Sequence, residues 1–395
     1  MSFKFTVIKK DPMTGARLGC MESGHGIVET PAFMPVGTQG SVKALSPRDL
    51  REANCQILLG NTYHLYLRPG VEVIRELGGL HRFMGWDGPI LTDSGGYQVF
   101  SLSALRKITE EGVQFQSHVD GSSHLLTPEK VVGIQEELGS DIAMVLDECI
   151  PYPASREYAR ASTRRTVRWA ERSLRARQKT GAALFGIIQG GMYEDLREEC
   201  VRNMKELPFD GFAAGGLGVG EGETVLNSTG ELTARLLPEN RPRYLMGVGR
   251  PEDLMFAVGC GYDLFDCVLP TRNARRGALF TSRGKLSIKR AEFTRDPRPV
   301  DEACECYCCR NFSRAYLRHL FLCGEILAAR LLSLHNVHFY HWLMAESRRA
   351  IREGRLQGWQ REFGKRYSEV GSQKSEEDAE EDGIRAKDMT EDSDS

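Results

Sequence analysis

Along most of this chain short apolar runs alternate with longer amphipathic or charged stretches, the trace that βα units of a parallel sheet leave in a sequence. Candidate strands end at Leu58-Leu59-Gly60, Ile90-Leu91-Thr92, Met144-Val145-Leu146, Phe185-Gly186-Ile187-Ile188, Gly211-Phe212-Ala213-Ala214, Tyr244-Leu245-Met246 and Leu264-Phe265. One more near Ser41-Val42-Lys43-Ala44 brings the count to eight. Helical stretches lie between several of them, from Pro128 to Leu138, Ser155 to Lys179, Tyr193 to Lys205 and Gly222 to Leu237. Eight βα units favour an α/β fold closed as a (β/α)8 TIM barrel over an open doubly wound sheet. A chain of 395 residues that is 41% hydrophobic has enough apolar content to fill such a core.

Most of these strands run directly into polar or glycine-rich segments: Asn61-Thr62-Tyr63-His64, Asp93-Ser94-Gly95-Gly96-Tyr97-Gln98, Asp147-Glu148-Cys149, Gln189-Gly190-Gly191, Gly215 to Glu221, Gly247-Val248-Gly249 and Asp266-Cys267. In a barrel all of them arrive at the C-terminal face, where strand ends converge on rigid supports and active sites are built. Asp93, Asp147 and Asp266 place carboxylates just beyond apolar strands. A single such aspartate is often a helix cap. Three of them beside Gln189 and paired glycines point to a polar pocket that reads a planar heterocycle, because glycine admits backbone groups to a ligand edge and Gln offers donor and acceptor together. Two nearby aspartates can act as nucleophile and general acid/base at an anomeric carbon, as in retaining glycosidases and, by the same logic, base-exchanging enzymes. Gly218-Val219-Gly220 is not followed by the Lys-Ser/Thr of a phosphate-binding P-loop.

Eleven cysteines would suit a disulfide framework, but four of them, Cys304, Cys306, Cys308 and Cys309, fall within six residues. That clustering reads as a metal site in a reduced compartment. Three thiolates in one tight turn plus a downstream histidine make a closed Cys3His zinc site, structural rather than catalytic. Spacing alone does not choose among His319, His335, His338 and His341, nor exclude Cys308.

The net charge of −2 hides an asymmetry. From Lys374 to Ser395 ten Asp/Glu face three Lys/Arg, a net of −7, so residues 1 to 373 carry +5. Between Pro270 and Val300 nine Arg/Lys face only Glu292 and Asp296. A polyanionic partner suits that body. The tail has almost no apolar content and is expected to be disordered. The Arg-rich stretch from Arg156 to Arg177 reads as a solvated barrel face, with RNA contact the less favoured alternative. No apolar run approaches the roughly 18 residues of a membrane span, and Met1-Ser2-Phe3-Lys4-Phe5 has no signal-peptide core, so a soluble cytoplasmic protein is expected.

These residues converge on a family. Asp93 to Gln98, Gly215 to Glu221, Asp266-Cys267-Val268-Leu269-Pro270-Thr271-Arg272, and the cysteine cluster with Leu334-His335-Asn336 resemble bacterial-type tRNA-guanine transglycosylase from about residue 3 to 370. The resemblance implies exchange of the wobble guanine in G-U-N anticodons (tRNAs for Asp, Asn, His and Tyr) for 7-aminomethyl-7-deazaguanine (preQ1) during queuosine synthesis. Asp266 would attack ribose C1′ to form a covalent enzyme–tRNA ester, and Asp93 would be the general acid/base. Asp147, Gln189 and the backbone at Gly216 would bind the base, with Tyr97 and Met246 sandwiching it. Arg272 and Arg275 would grip an anticodon loop containing U-G-U. Cys304, Cys306, Cys309 and His335 match the zinc ligands, leaving Cys308 spare.

With the acidic tail over 374–395 lying outside its pattern, the same resemblance implies a barrel core over 1–270, a zinc-binding and tRNA-contacting insertion over 271–340 and a helical part closing the barrel over 341–373. It also implies a homodimer, for which Phe312, Tyr316, Phe83 and Lys43 are candidate contacts. The archaeal branch carries extra RNA-binding domains for which this chain has no room. The eukaryotic catalytic subunit takes the bulkier queuine and has a smaller residue at the place of Val219, so Val219 with Cys149 favours preQ1. A non-catalytic tRNA-binding subunit would lack one of the two aspartates, and a plain glycoside hydrolase would not need a zinc module fused to a basic segment.

Overall fold

In a computed structural model, which describes residues 3–102, 106–178 and 181–371, the apolar runs become eight parallel strands. They are β1 (Ala32–Gly37), β2 (Leu58–Gly60), β3 (Ile90–Thr92), β4 (Ile142–Met144), β5 (Ala183–Ile188), β6 (Gly211–Ala214), β7 (Arg243–Leu245) and β8 (Leu264–Cys267). The strands close in chain order into a barrel, with β8 pairing back onto β1. Every residue of β2 to β7 is buried. Strands covered by the barrel interior on one face and helices on the other require this.

One expected strand is misplaced. Ser41 to Ala44 is a turn in which Ala44 takes a left-handed φ of 68°, and the first strand lies upstream at Ala32–Gly37. Its Pro35 argues against a central strand, since proline cannot donate to a ladder. The barrel tolerates it because β1 pairs with β8 through Pro35 and with β2 only from Val36 onward. The missing N–H therefore falls where the strand changes partners.

Two of the expected helices start at side-chain caps: Thr127 accepts from Lys130 N–H ahead of Pro128–Leu138, and Ser155 from Tyr158 N–H ahead of Arg156–Ala176. The latter buries Thr163, Thr166, Trp169 and Ala170, among others, and turns its arginines outward. Arg156, Arg164, Arg165, Arg168 and Arg172 each pair with a carboxylate of a neighbouring element. Such a face needs no RNA to account for it.

The sequence reading has no counterpart for three smaller sheets. One is an antiparallel sheet of Lys4–Lys10, Arg17–Ser23 and Gly26–Thr30; another, of Arg106–Ile108, Val113–Gln116 and Ser123–Leu126, interrupts the connection from β3 to β4; the third is the hairpin Ala278–Thr281/Gly284–Ser287. The first closes the N-terminal end of the barrel. Arg17 enters it fully buried, donating Nε and Nη2 to Asp263 just before β8 and both Nη groups to the carbonyls of Glu239 and Arg241. Asp141, just before β4, accepts from His25, His81 and Ile90 N–H. The two imidazoles stack 3.5 Å apart, nearly parallel, so their nitrogens face that carboxylate side by side.

The 28-residue helix Ile326–Glu353 packs against β1 and against the helix Leu269–Arg275 that follows β8. It runs unbroken through residue 340, so segments 271–340 and 341–373 share this one element. Residues 374–395 lie outside the described residues. No described helix is long and apolar enough to cross a membrane.

The Arg17–Asp263 pair yields the first prediction. Arg17→Met leaves a buried carboxylate without its partner, and this is expected to cost about 3 to 5 kcal/mol of unfolding free energy. Chemical denaturation of wild type and variant reads it directly; a loss under about 1 kcal/mol would remove the pair from the account of how the barrel floor is held.

Candidate active site

The C-terminal strand ends bring the expected residues to one mouth. Asp93 follows β3, its N–H bonded to Gly60 O and its carboxylate accepting from Asn61 Nδ2 (2.9 Å) and Thr62 N–H (3.0 Å). Burial pushes its carboxyl up to about 7, with the charges of Asp266 and Asp147 adding to the rise against the Thr62 hydrogen bond. Asp147, beyond β4, accepts from Gln189 Nε2 at 2.7 Å and Ser94 Oγ at 3.4 Å, and burial raises it to about 6. Its neighbour Glu148 points the other way, toward Arg165 and Tyr158.

Asp266 lies within β8 rather than beyond it, paired in register with Met34 of β1. It stays partly open to the mouth, yet dense surroundings raise its proton affinity by desolvation. Tyr244 Oη (2.6 Å) and Gly247 N–H (2.8 Å) both donate to Oδ1. Among the described residues neither donor engages Oδ2, so the carboxylate is held by one oxygen and presents the other.

A hydrogen-bonding edge lies between β4 and β6. Gln189 is fully buried, and its Oε1 has no partner among the described residues. An acceptor left so in a closed site is costly unless a ligand donor completes it. Gly216 has φ 64°, and a Cβ there would fall 2.5 Å from that Oε1. Only glycine lets this loop lie flat against Gln189. Beyond it, Glu221 accepts from the N–H groups of Gly218 and Val219, and Val219 is partly exposed in the loop, outside the core.

Tyr97 and Met246, both half-buried, come from the ends of β3 and β7, which are opposite one another in an eight-strand ring. Burial raises the Tyr97 phenol to about 12, and the nearby Arg272 guanidinium opposes that rise. Arg272 and Arg275 lie on the helix Leu269–Arg275, immediately after β8.

The cysteine cluster folds around the long helix. Sγ of Cys304, Cys306 and Cys309 lie 3.7, 3.7 and 3.3 Å from His335 Nδ1, and all four donor atoms lie within 4.8 Å of one another. His335 Nε2 donates to Phe280 O at 2.8 Å, leaving Nδ1 free as a ligand. Three thiolates and one imidazole with no further group suit a tetrahedral ion. His319 and His341 stay outside the group, while His338 touches only Cys304. Cys308 points into an apolar cluster with Leu279, Leu317 and Leu332.

Known proteins resemble this chain over most of its length. The family model described as Queuine tRNA-ribosyltransferase matches residues 11–369. Curated proteins named Queuine tRNA-ribosyltransferase are 57% identical in Thermoanaerobacter sp. (strain X514) over 93% of this chain and 98% of the relative, and 58% identical in Methylobacillus flagellatus over 91% and 97%. The chain belongs to the queuine tRNA-ribosyltransferase family. It is thereby an enzyme, a pentosyltransferase of the tRNA-guanine transglycosylase class in queuosine synthesis.

Several residues of this transferase site escape a sequence reading. Asn61 and Thr62 stand in a strand-end signature but carry no hint that they hold Asp93. Tyr244 reads as a core aromatic of β7, and only the barrel register reveals its hydroxyl on Asp266. Glu221 lies inside a quoted motif, where a capping carboxylate cannot be told from a helix-start acid.

The donor set of this candidate metal centre predicts a single tightly held ion per chain. Cys306→Ser and His335→Ala are expected to lose it and to destabilise the C-terminal third, whereas Cys308→Ser keeps it. Metal analysis with thermal melts checks this, and equal metal loss in Cys308→Ser and Cys306→Ser would show the ligand set to be wrong.

Proposed function

We propose that the chain exchanges the wobble guanine of G-U-N anticodon tRNAs for preQ1 through a covalent aspartyl-ribosyl intermediate. The observation that carries this is the pairing, in one mouth, of an anchored carboxylate with a free oxygen (Asp266) and a buried carboxyl held near neutrality (Asp93). In this reading Asp266 Oδ2 bonds to ribose C1′ as the C1′–N9 bond breaks. The electron pair leaves on guanine, and Asp93 supplies the proton. On return, Asp93 takes the proton from the entering base, whose nitrogen attacks C1′ and releases the carboxylate.

Asp147, Gln189 and Gly216 bind the heterocycle's edge, the unpartnered Gln189 Oε1 accepting from it. Tyr97 and Met246 cover its faces from opposite strands. Arg272 and Arg275 hold the anticodon loop containing U-G-U. Zinc is the ion that three thiolates and an imidazole suit, and it supplies structure: the neighbouring Asn336 bonds Pro270 O, Ala278 O and Phe280 N–H, tying the metal lobe to the segment behind Asp266. The enzyme acts as a cytoplasmic homodimer through the stacked pair Phe312 and Tyr316, with Phe83 and Lys43. Tyr316 and Phe83 keep 41% and 38% of their surface exposed.

Asp266→Asn is expected to abolish the denaturation-resistant tRNA adduct while leaving tRNA binding largely intact, because an amide is no anionic nucleophile. Adduct of normal yield on a denaturing gel would reassign the nucleophile.

The choice of entering base rests on Val219. Its loop lies beside the base-binding edge, where an aminomethyl group fits next to an isopropyl side chain and the cyclopentenediol of queuine collides with it. Overlap of that kind costs ~1 to 3 kcal/mol, or roughly 5- to 150-fold in apparent affinity. Val219→Gly is expected to improve queuine use with guanine exchange kept within about tenfold of wild type. Competition between preQ1 and queuine, with melts run alongside, checks it; an unchanged preference ratio sinks the assignment.

A further inference from the structure

Arg197 is a cation where the fold has no evident use for one. It sits in the first turns of the helix Glu194–Lys205, wholly buried. Its Nε donates to Gly191 O at 2.8 Å and its Nη2 to Gly215 O at 3.0 Å, while Nη1 has no partner among the described residues. No carboxylate pairs with it there. Glu221 is an acidic group whose charge reaches it, but that carboxylate is engaged by the N–H groups of Gly218 and Val219. Burying an unpaired guanidinium is expensive, and an apolar side chain of similar length would fill the space at lower cost.

The two carbonyls explain the choice. Gly191 follows Gln189 at the end of β5, and Gly215 precedes Gly216 at the end of β6. These two loops make up the edge that faces the base. The guanidinium is a planar fork of fixed width, so donors aimed at both loops set their spacing, which a single flexible donor cannot do. The loops are shaped around it: a Cβ on Gly190 would stand 2.6 Å from Arg197 Cγ and 2.7 Å from its backbone nitrogen. We infer that Arg197 is a positioning residue that clamps the β5 and β6 loops from beneath, so that Gln189 Oε1 and the Gly216 backbone meet the purine edge at one fixed separation.

This rests on the base-exchange reading given above, and predicts that the free base, held in this pocket alone, feels the effect more than tRNA, which is held by its anticodon loop as well. In steady-state incorporation of labelled guanine, Arg197→Met is expected to raise the KM for guanine on the order of tenfold or more, since small misplacements of a recognition group are amplified. The KM for tRNA should stay within about threefold. Arg197→Lys, which keeps the stem and the charge but cannot bridge both carbonyls, should fall between wild type and Arg197→Met. Met204→Ala, a cavity at a fully buried position of the same helix, should lower the melting temperature without moving the guanine KM. A guanine KM within about twofold of wild type in folded Arg197→Met overturns the inference, as does an equal rise in Met204→Ala. Should Arg197→Met not fold, an unchanged guanine KM in Arg197→Lys overturns it alone. A wild-type chain that incorporates no guanine contradicts the exchange reading instead.

Discussion

Three carboxyl groups drawn into one barrel mouth cannot all hold a negative charge cheaply, because each is desolvated and like charges at short range disfavour ionisation. Much of the local architecture follows from this. Asp93 is held near neutrality by burial and by Asp266 and Asp147. Asp147 is raised less far, with Gln189 and Ser94 donating to it. Asp266 has a phenol and a backbone N–H on one oxygen to support its anionic form. The three aspartates therefore sit among different hydrogen-bond partners, although their sequence settings look alike.

The scaffold that imposes this arrangement is held at both ends. Beneath the barrel, Arg17 and Asp263 fix the start of β8, and Asp141 joins His25 and His81 to the start of β4. Above it, the lobe that carries the cysteine cluster reaches the segment behind Asp266 through two adjacent residues of one helix. His335 enters the cysteine cluster and bonds Phe280 O, while Asn336 bonds the backbone of Pro270, Ala278 and Phe280. Loss of the ion would thus be felt at the helix Leu269–Arg275, which carries Arg272 and Arg275.

Legibility in the sequence follows the range of the interactions involved. Seven strands and the helices at 128–138, 156–176, 194–205 and 223–236 were readable because apolar periodicity and caps are local. The first strand was not, since Pro35 breaks the local rule and only the change of ladder partner around the closed ring accommodates it. The same division runs through the site. Asp93, Asp147, Asp266 and the cysteine cluster stand out by residue type at strand ends and by spacing. Tyr244 and Arg197 do not: a tyrosine in an apolar strand and an arginine in a charged helix look ordinary until the fold turns one onto Asp266 and buries the other beneath two glycine loops.

The central claim is that this mouth breaks and remakes the glycosidic bond of a guanine in tRNA, rather than merely binding tRNA or cleaving a sugar. Incubation of the purified chain with labelled guanine and unmodified tRNA bearing a G-U-N anticodon tests it most directly. The account predicts label in the tRNA at the wobble position and none in tRNA whose wobble base is not guanine. Guanine release without incorporation, or no exchange by protein that binds this tRNA, would contradict it.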